Sequence, residues 1–227
     1  MAGCGFDNSR MFTYSEMTEM THRLKTMILL LTMSAGMAMA QQPSEAQVRE
    51  KINQTAATMR SMECDFVQTK HLKLLNDKMV SRGRMYYRQP NQLRWEYTKP
   101  YTYTFIINGN QVLVKNQQRS DVIDTNQNKM FKEIARIMMN SVVGKSLSDD
   151  KDFRVSISGT STEWVATLLP QRKDMRQMFE RIILHFDKKK NMISTVEMLE
   201  KKGDRTVIEL KNVRSNVSIN SNLFSVR

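Results

Sequence analysis

Few residues in this chain could do acid–base, nucleophilic or metal chemistry, and they are scattered. The three histidines are His22, His71 and His185. None stands at a metal-ligand spacing or inside a nucleophile–base motif. The carboxylates are dispersed and no glycine-rich phosphate loop occurs, so an enzyme, a metal site and a cofactor are not expected. Cys64, two positions from Phe66, reads as a small buried residue rather than a reactive thiol. The side chains with more to offer are apolar ones at regular spacing. Phe66, Met85, Tyr87, Leu93, Trp95, Tyr97, Phe105 and Ile107 fall at alternate positions of strand-like segments, and Met130, Ile134 and Met138 at helical spacing. Such patterns normally build a core, and periodicity alone assigns them nothing more.

The elements that must position these residues can be read in order. Ser44-x-x-Gln47 behind Pro43 is a capping box, and Val48, Ile52, Ala56 and Met59 continue an apolar helical stripe to about Met62. From Cys64 the period shortens. Strands are expected through Leu74, from Lys78 to Arg88, around Leu93–Tyr97, from Tyr101 to Ile107, around Val112–Val114 and over Asp121–Asp124. Asn108-Gly109 predicts a two-residue type I′ hairpin turn, with positive φ at both positions. Asn126 to about Val143 reads as a helical insert ended by Gly144. Strands resume over Phe153–Ser158, Trp164–Leu169, Arg181–Phe186, Met192–Leu199 and Thr206–Val213, and Leu223–Val226 closes the chain. Neither half alternates strand and helix, which excludes βαβ units. The expected class is mainly β with some α (α+β): one curved antiparallel sheet of about eleven strands, with the helical segments against its concave side.

The N-terminal region reads differently. Arg23 and Lys25 precede the uncharged run Met27–Met39, which closes on Ala38-Met39-Ala40, the small-x-small form of an export signal. The run is shorter than the roughly 20 residues of a bilayer span. Residues 1–40 are therefore expected to be a cleaved signal peptide, with Met20 as an alternative start. The remaining 187 residues carry the whole formal charge of +12 and a single cysteine, Cys64. Export without a possible internal disulfide points to a soluble bacterial periplasmic protein, and a monomer is expected. The basic residues are scattered and no nucleic-acid module is present, so a nucleic-acid partner is not expected.

Between Asp65 and Gln111 the residues resemble one family. Asp65-Phe66-Val67-Gln68, then Gly83, then Pro90-Asn91-Gln92-Leu93-Arg94-Trp95-Glu96-Tyr97 with Pro100, then Asn108-Gly109, stand in the order found in the LolA-like periplasmic lipoprotein carriers. The C-terminal half matches in rhythm, with Asn212-Val213 and a late Phe224. The resemblance implies that residues 41–227 are a carrier domain folded as an incomplete β-barrel, with helices as a lid over an apolar cavity that holds lipoprotein acyl chains. It implies two partners, an inner-membrane ABC transporter that loads cargo and an outer-membrane acceptor that receives it. On this reading the eight alternate residues from Phe66 to Ile107 line the cavity, and Met130, Ile134 and Met138 line the lid. The family often has arginine before the first proline of the motif, as a lid contact. Here Gln89 occupies that position and Arg88 precedes it. Eleven methionines follow Ala40, and unbranched, polarizable methionine suits chains of varied shape. A glycolipid or other envelope lipid as cargo, or a non-catalytic interaction or sensor domain, remains an alternative.

Overall fold

The first helix begins where its capping box predicts. In the computed structural model Ser44 Oγ accepts the Gln47 N–H at 3.3 Å, and Gln47 Oε1 accepts the Ser44 N–H at 2.8 Å. The structure describes residues 43–128, 132, 135, 136, 139, 140, 147 and 151–226. The expected signal peptide, residues 1–40, and the expected lid residues Met130, Ile134 and Met138 lie outside the described residues. Helix α1 spans Glu45–Thr58 and buries Val48, Ile52 and Ala56, one residue per turn. It stops short of the expected Met62. Thr55 and Thr58 hydroxyls bond back to the Lys51, Gln54 and Thr55 carbonyls, which weakens the last turn. Met59 is already extended, and Met62 belongs to the first strand.

Eleven strands follow: β1 (Ser61–Leu72), β2 (Asp77–Arg88), β3 (Gln92–Lys99), β4 (Tyr103–Asn108), β5 (Gln111–Asn116), β6 (Ser120–Asp124), β7 (Phe153–Gly159), β8 (Glu163–Pro170), β9 (Phe179–Asp187), β10 (Met192–Glu200) and β11 (Arg205–Ser215). They form one antiparallel sheet in the order β6-β5-β4-β3-β2-β1-β11-β10-β9-β8-β7. Each half is a meander, and β1 against β11 joins them, from Met62↔Ser215 to His71↔Arg205. The sheet is open, with β6 and β7 at its ends. Between β6 and β7 in the chain comes the insert, of which Lys132, Ala135, Arg136, Met139 and Asn140 are helical.

The sheet must curl. Laid flat, eleven strands would span about 48 Å, whereas the 14 residues of α1 extend only about 21 Å. Yet α1 packs into both halves. Ala56 and Met59 join a first cluster with residues of β1 to β5, and Val48 and Ile52 join a second with residues of β7 to β10. Val196, Met198 and Leu210 border both clusters.

Three features depart from the sequence reading. The β4–β5 hairpin turns on Gly109-Asn110, since Asn108 pairs with Gln111. Only Gly109 takes a positive φ, +61°, so the turn is not type I′. A short helix α2 (Lys173–Met178) lies between β8 and β9; six residues without a side-chain cap leave no periodic signal. The closing segment, for which the sequence reading named no element, is a 3-10 turn, Ser221–Phe224. Among the described residues, no helix is long and apolar enough to cross a membrane.

Candidate functional site

The eight alternate residues come together on one face, in three rows that cross the strands. Tyr87, Leu93 and Ile107 stand in register between Met62 and Val112. Met85, Trp95 and Phe105 stand in register between Cys64 and Val114. The third row runs Phe66, Gly83, Tyr97, Tyr103. Seven of the eight are buried in the first cluster and Tyr97 packs against it. Alternation put them on one face; the hairpin registers aligned them.

The third row shows why the motif needs its glycine. A Cβ at Gly83 would lie 2.5 Å from Phe66 Cζ and 2.0 Å from the Glu96 carbonyl oxygen. The Phe66 ring fills that space. It stacks on Trp95 with centroids 4.3 Å apart and meets Tyr97 edge-on at 5.2 Å. The Tyr97 hydroxyl donates to Gln68 Oε1 at 2.9 Å, which accounts for the glutamine of Phe66-x-Gln68. The wall is thus rigid, aromatic and satisfied in its polar atoms.

Its electrostatics are those of a dry interior. Burial pushes the Cys64 thiol up to about 12, and the neighbouring Asp65 and Glu63 carboxylates add to the rise. The thiol stays protonated and unreactive at ordinary pH. Burial likewise raises the phenols of Tyr87, Tyr97 and Tyr103.

Opposite this wall the chain presents small or pliable side chains. α1 contributes Ala56, its C-cap contributes Met59, and the insert contributes Ala135 and, partly buried, Met139. In the second cluster the same helix supplies Val48 and Ile52, the insert supplies Leu147, and the space is closed by Phe153, Trp164, Phe186 and Met175 together with branched aliphatics. The described part of the insert is tied by arginines that sequence reading missed. Arg136 pairs with the buried Asp152, and Arg49 of α1 donates to the Leu147 carbonyl. Gln89 sits at the end of β2 with its backbone N–H on the Arg60 carbonyl at 2.9 Å. Its side chain makes no hydrogen bond among the described residues.

The motif's outward residues have a separate task. Arg94 pairs with Glu96 at 3.1 Å and donates to the Leu223 carbonyl at 3.2 Å. Arg88 donates to Ser221 Oγ at 3.0 Å and lies over the Phe224 ring, and Asn108 donates to the Phe224 carbonyl at 3.1 Å. These bonds hold the C-terminal turn against Ile106 and Leu113, a third cluster on the outer face. The unbroken apolar triplets Phe105–Ile107 and Val112–Val114 were the available signal, since a strand apolar on both faces is covered on both.

His185 bridges Glu163 and Glu197 at 3.1 Å each, in a ladder across β8, β9 and β10. Among the described residues no group of three or more histidine, cysteine or acidic side chains could hold a metal. A hollow of about 670 Å³ opens on the outer face around the Glu63–Asp65 bulge, and its charges are paired, with Arg214 on Glu63 at 2.6 Å and Asn212 on Asp65 at 2.8 Å.

Comparison with known proteins gives a consistent result. Residues 57–227 match the family described as outer membrane lipoprotein carrier protein LolA. An outer-membrane lipoprotein carrier protein of Methylococcus capsulatus is 22% identical over 183 residues, covering 80% of this chain and 84% of the relative. One from Chromobacterium violaceum is 23% identical over 200 residues, covering 86% and 91%. Among solved structures, a LolA superfamily protein from Nitrosomonas europaea superimposes with a TM-score of 0.42 and 8% identity, covering 81% of this chain and 98% of the other.

Proposed function

This chain belongs to the LolA family of outer membrane lipoprotein carrier proteins, and we propose that it carries lipoproteins through the periplasm with their acyl chains held in the first cluster. The observation that carries the proposal is the contrast across that cluster. A rigid aromatic wall faces a roof of Ala56, Met59, Ala135 and Met139, so a guest can enter by displacing few and compliant contacts.

The energetics fit a carrier. A sixteen-carbon chain in water costs on the order of 12 kcal/mol. A protein that moves such a chain must offset most of this yet let it leave. Phe66, Trp95 and Phe105 offer flat apolar area, while Met85 and Met139 adapt to chain shape. Opening requires the insert to move, and the Arg136–Asp152 pair with the Arg49 contact to Leu147 supplies a polar latch that reforms on closing. Gln89 would serve at most as a secondary contact at the α1–β1 link. The leader ending at Ala40 would deliver the chain to the compartment between two membranes. There it would load from an inner-membrane ABC transporter and unload to an outer-membrane acceptor. No step of this task breaks or makes a covalent bond, so no catalytic residue is assigned.

The test is acyl-chain binding by the protein starting at Gln41. A fluorescent fatty acid should bind, and Trp95→Glu or Leu93→Glu should abolish binding while circular dichroism shows the sheet intact. Unchanged binding in folded variants would remove the first cluster as the site. Mass spectrometry of co-purified ligand identifies the head group, and a glycolipid there would replace lipoprotein as cargo.

A further inference from the structure

One end of the sheet carries apolar side chains that the core does not use. The β1–β2 turn is Lys73-Leu74-Leu75-Asn76, and Leu74 is 90% exposed and Leu75 71% exposed. Asn76 takes the left-handed conformation at φ +48°, which suits the turn, but nothing in the turn needs two leucines. Polar residues are the usual occupants of such positions. Met79 and Val80 follow on the stem, 46% and 42% exposed. Single exposed apolar residues are common, whereas four within seven positions at one tip mark a contact surface. They stay uncovered because β3 pairs with β2 only from Arg82↔Lys99 onward, so the hairpin projects beyond its neighbour.

The charge around the tip is net positive, with Lys70, Lys73, Lys78, Lys201 and Lys202 against Asp77, Glu200 and Asp204. The β10–β11 turn lies alongside, joined by the Lys73 N–H to Asp204 Oδ1 at 3.0 Å and by the Lys73 stem against Gly203. Glu200 and Asp204 are taken up by Lys70, at 2.9 and 3.8 Å. Lys73, Lys78, Lys201 and Lys202 make no ion pair among the described residues, and Asp77 caps the adjacent Lys78 N–H at 2.7 Å. Leucines at a projecting turn, ringed by free ammonium groups, are the chemistry of a surface that enters the interface of an anionic bilayer. The apolar side chains reach the acyl boundary and the lysines meet the head groups. Met79 has the same inward parity as Met85 and Tyr87, so the tip continues the face that carries the first cluster.

We infer that the Leu74–Leu75 hairpin is a membrane-docking tip that seats this end of the protein on an anionic lipid surface. Docking depends on the tip alone and not on the acyl-chain reading. The protein starting at Gln41 is sedimented with vesicles of phosphatidylglycerol and phosphatidylcholine, and with vesicles of phosphatidylcholine alone. Binding to the anionic vesicles is expected, with weak binding to the neutral ones. The double variant Leu74→Glu/Leu75→Glu should bind at least about tenfold more weakly. Lys201→Glu/Lys202→Glu should lose on the order of tenfold or more, as should raised salt. All four positions are exposed, so thermal melts should match the parent, and fatty-acid binding should persist in both variants. That persistence separates failure of docking from failure of the carrier reading. Equal binding by the leucine variant, meaning adsorption of a basic protein by charge alone, overturns the inference. So does absence of vesicle binding, including the case where the leucines instead support self-association or capture of a protein partner.

Discussion

The two halves of the interior are built from one sheet and one helix, yet they differ in what they could admit. The second cluster sets Val48, Ile52 and Leu147 against Phe153, Leu168, Ile182, Leu184 and Phe186. Branched aliphatics from three sides, with the aromatics Phe153, Trp164 and Phe186 among them, close it as a protein core closes. The first cluster sets a stacked aromatic wall against Ala56, Ala135 and methionines. The helix is the same rod in both places, and only the residue offered at each turn changes. On the carrier reading proposed above, the second half would hold the fold together and the first would deform to admit a guest. A carrier needs both, because a site that opens must be anchored to something that does not.

The largest effect that tests this contrast is in the anchored half. Ile52→Ala removes a fully buried side chain and should cost about 3 kcal/mol of stability in urea unfolding, with fatty-acid affinity within about twofold of the parent. A large loss of affinity in the folded variant would show the two halves acting as one.

Alkaline pH probes the dry wall. The unfolded chain gives up the Cys64 proton near 9.0 and the folded chain only near 12. Stability from this group is complete below pH 9 and is lost as the pH rises from there towards 12, by on the order of a few kcal/mol. The buried tyrosines act in the same direction once the pH passes 10. Cys64→Ala should flatten the fall between pH 9 and 12 in thermal melts. A parallel fall in the variant would mean that the thiol is hydrated.

Within the wall, Gly83→Ala forces the Phe66 ring and the β3 backbone aside and should cost about 2 kcal/mol. It should also weaken acyl binding, since the ring it displaces lines the proposed site. A stability loss with unchanged binding would move the guest away from the third row. The smallest expected effect is Met85→Leu. Volume is conserved, so stability should change by less than about 1.5 kcal/mol, while a series of chain lengths should bind over a narrower range.

How legible was this in the sequence? The wall was, almost residue by residue. Alternation from Leu93 to Tyr97 and from Tyr103 to Ile107 places side chains on one face of any antiparallel sheet, and hairpin connections bring those faces together. The roof was legible only in part. Ala56 and Met59 lie on the expected stripe, but Ala135 and Leu147 were not singled out; Ala135, being small, gives a weak periodic signal. Arg94 and Glu96 pair along β3, and Arg94 reaches the C-terminal turn. That partner stands 129 residues away in sequence, beyond any local pattern.

The sequence by itself determined the local matters: the capped start of α1, the order of the strands, the side of each strand that turns inward, and the aromatic motif with its glycine. Each follows from interactions within a few residues or across a short hairpin. Only the tertiary structure decided that β11 closes on β1, that the C-terminal turn covers Ile106 and Leu113, and that α1 packs into both halves of the interior. Periodicity states that a face will be covered, whereas what covers it depends on chain segments that meet only when the sheet curls.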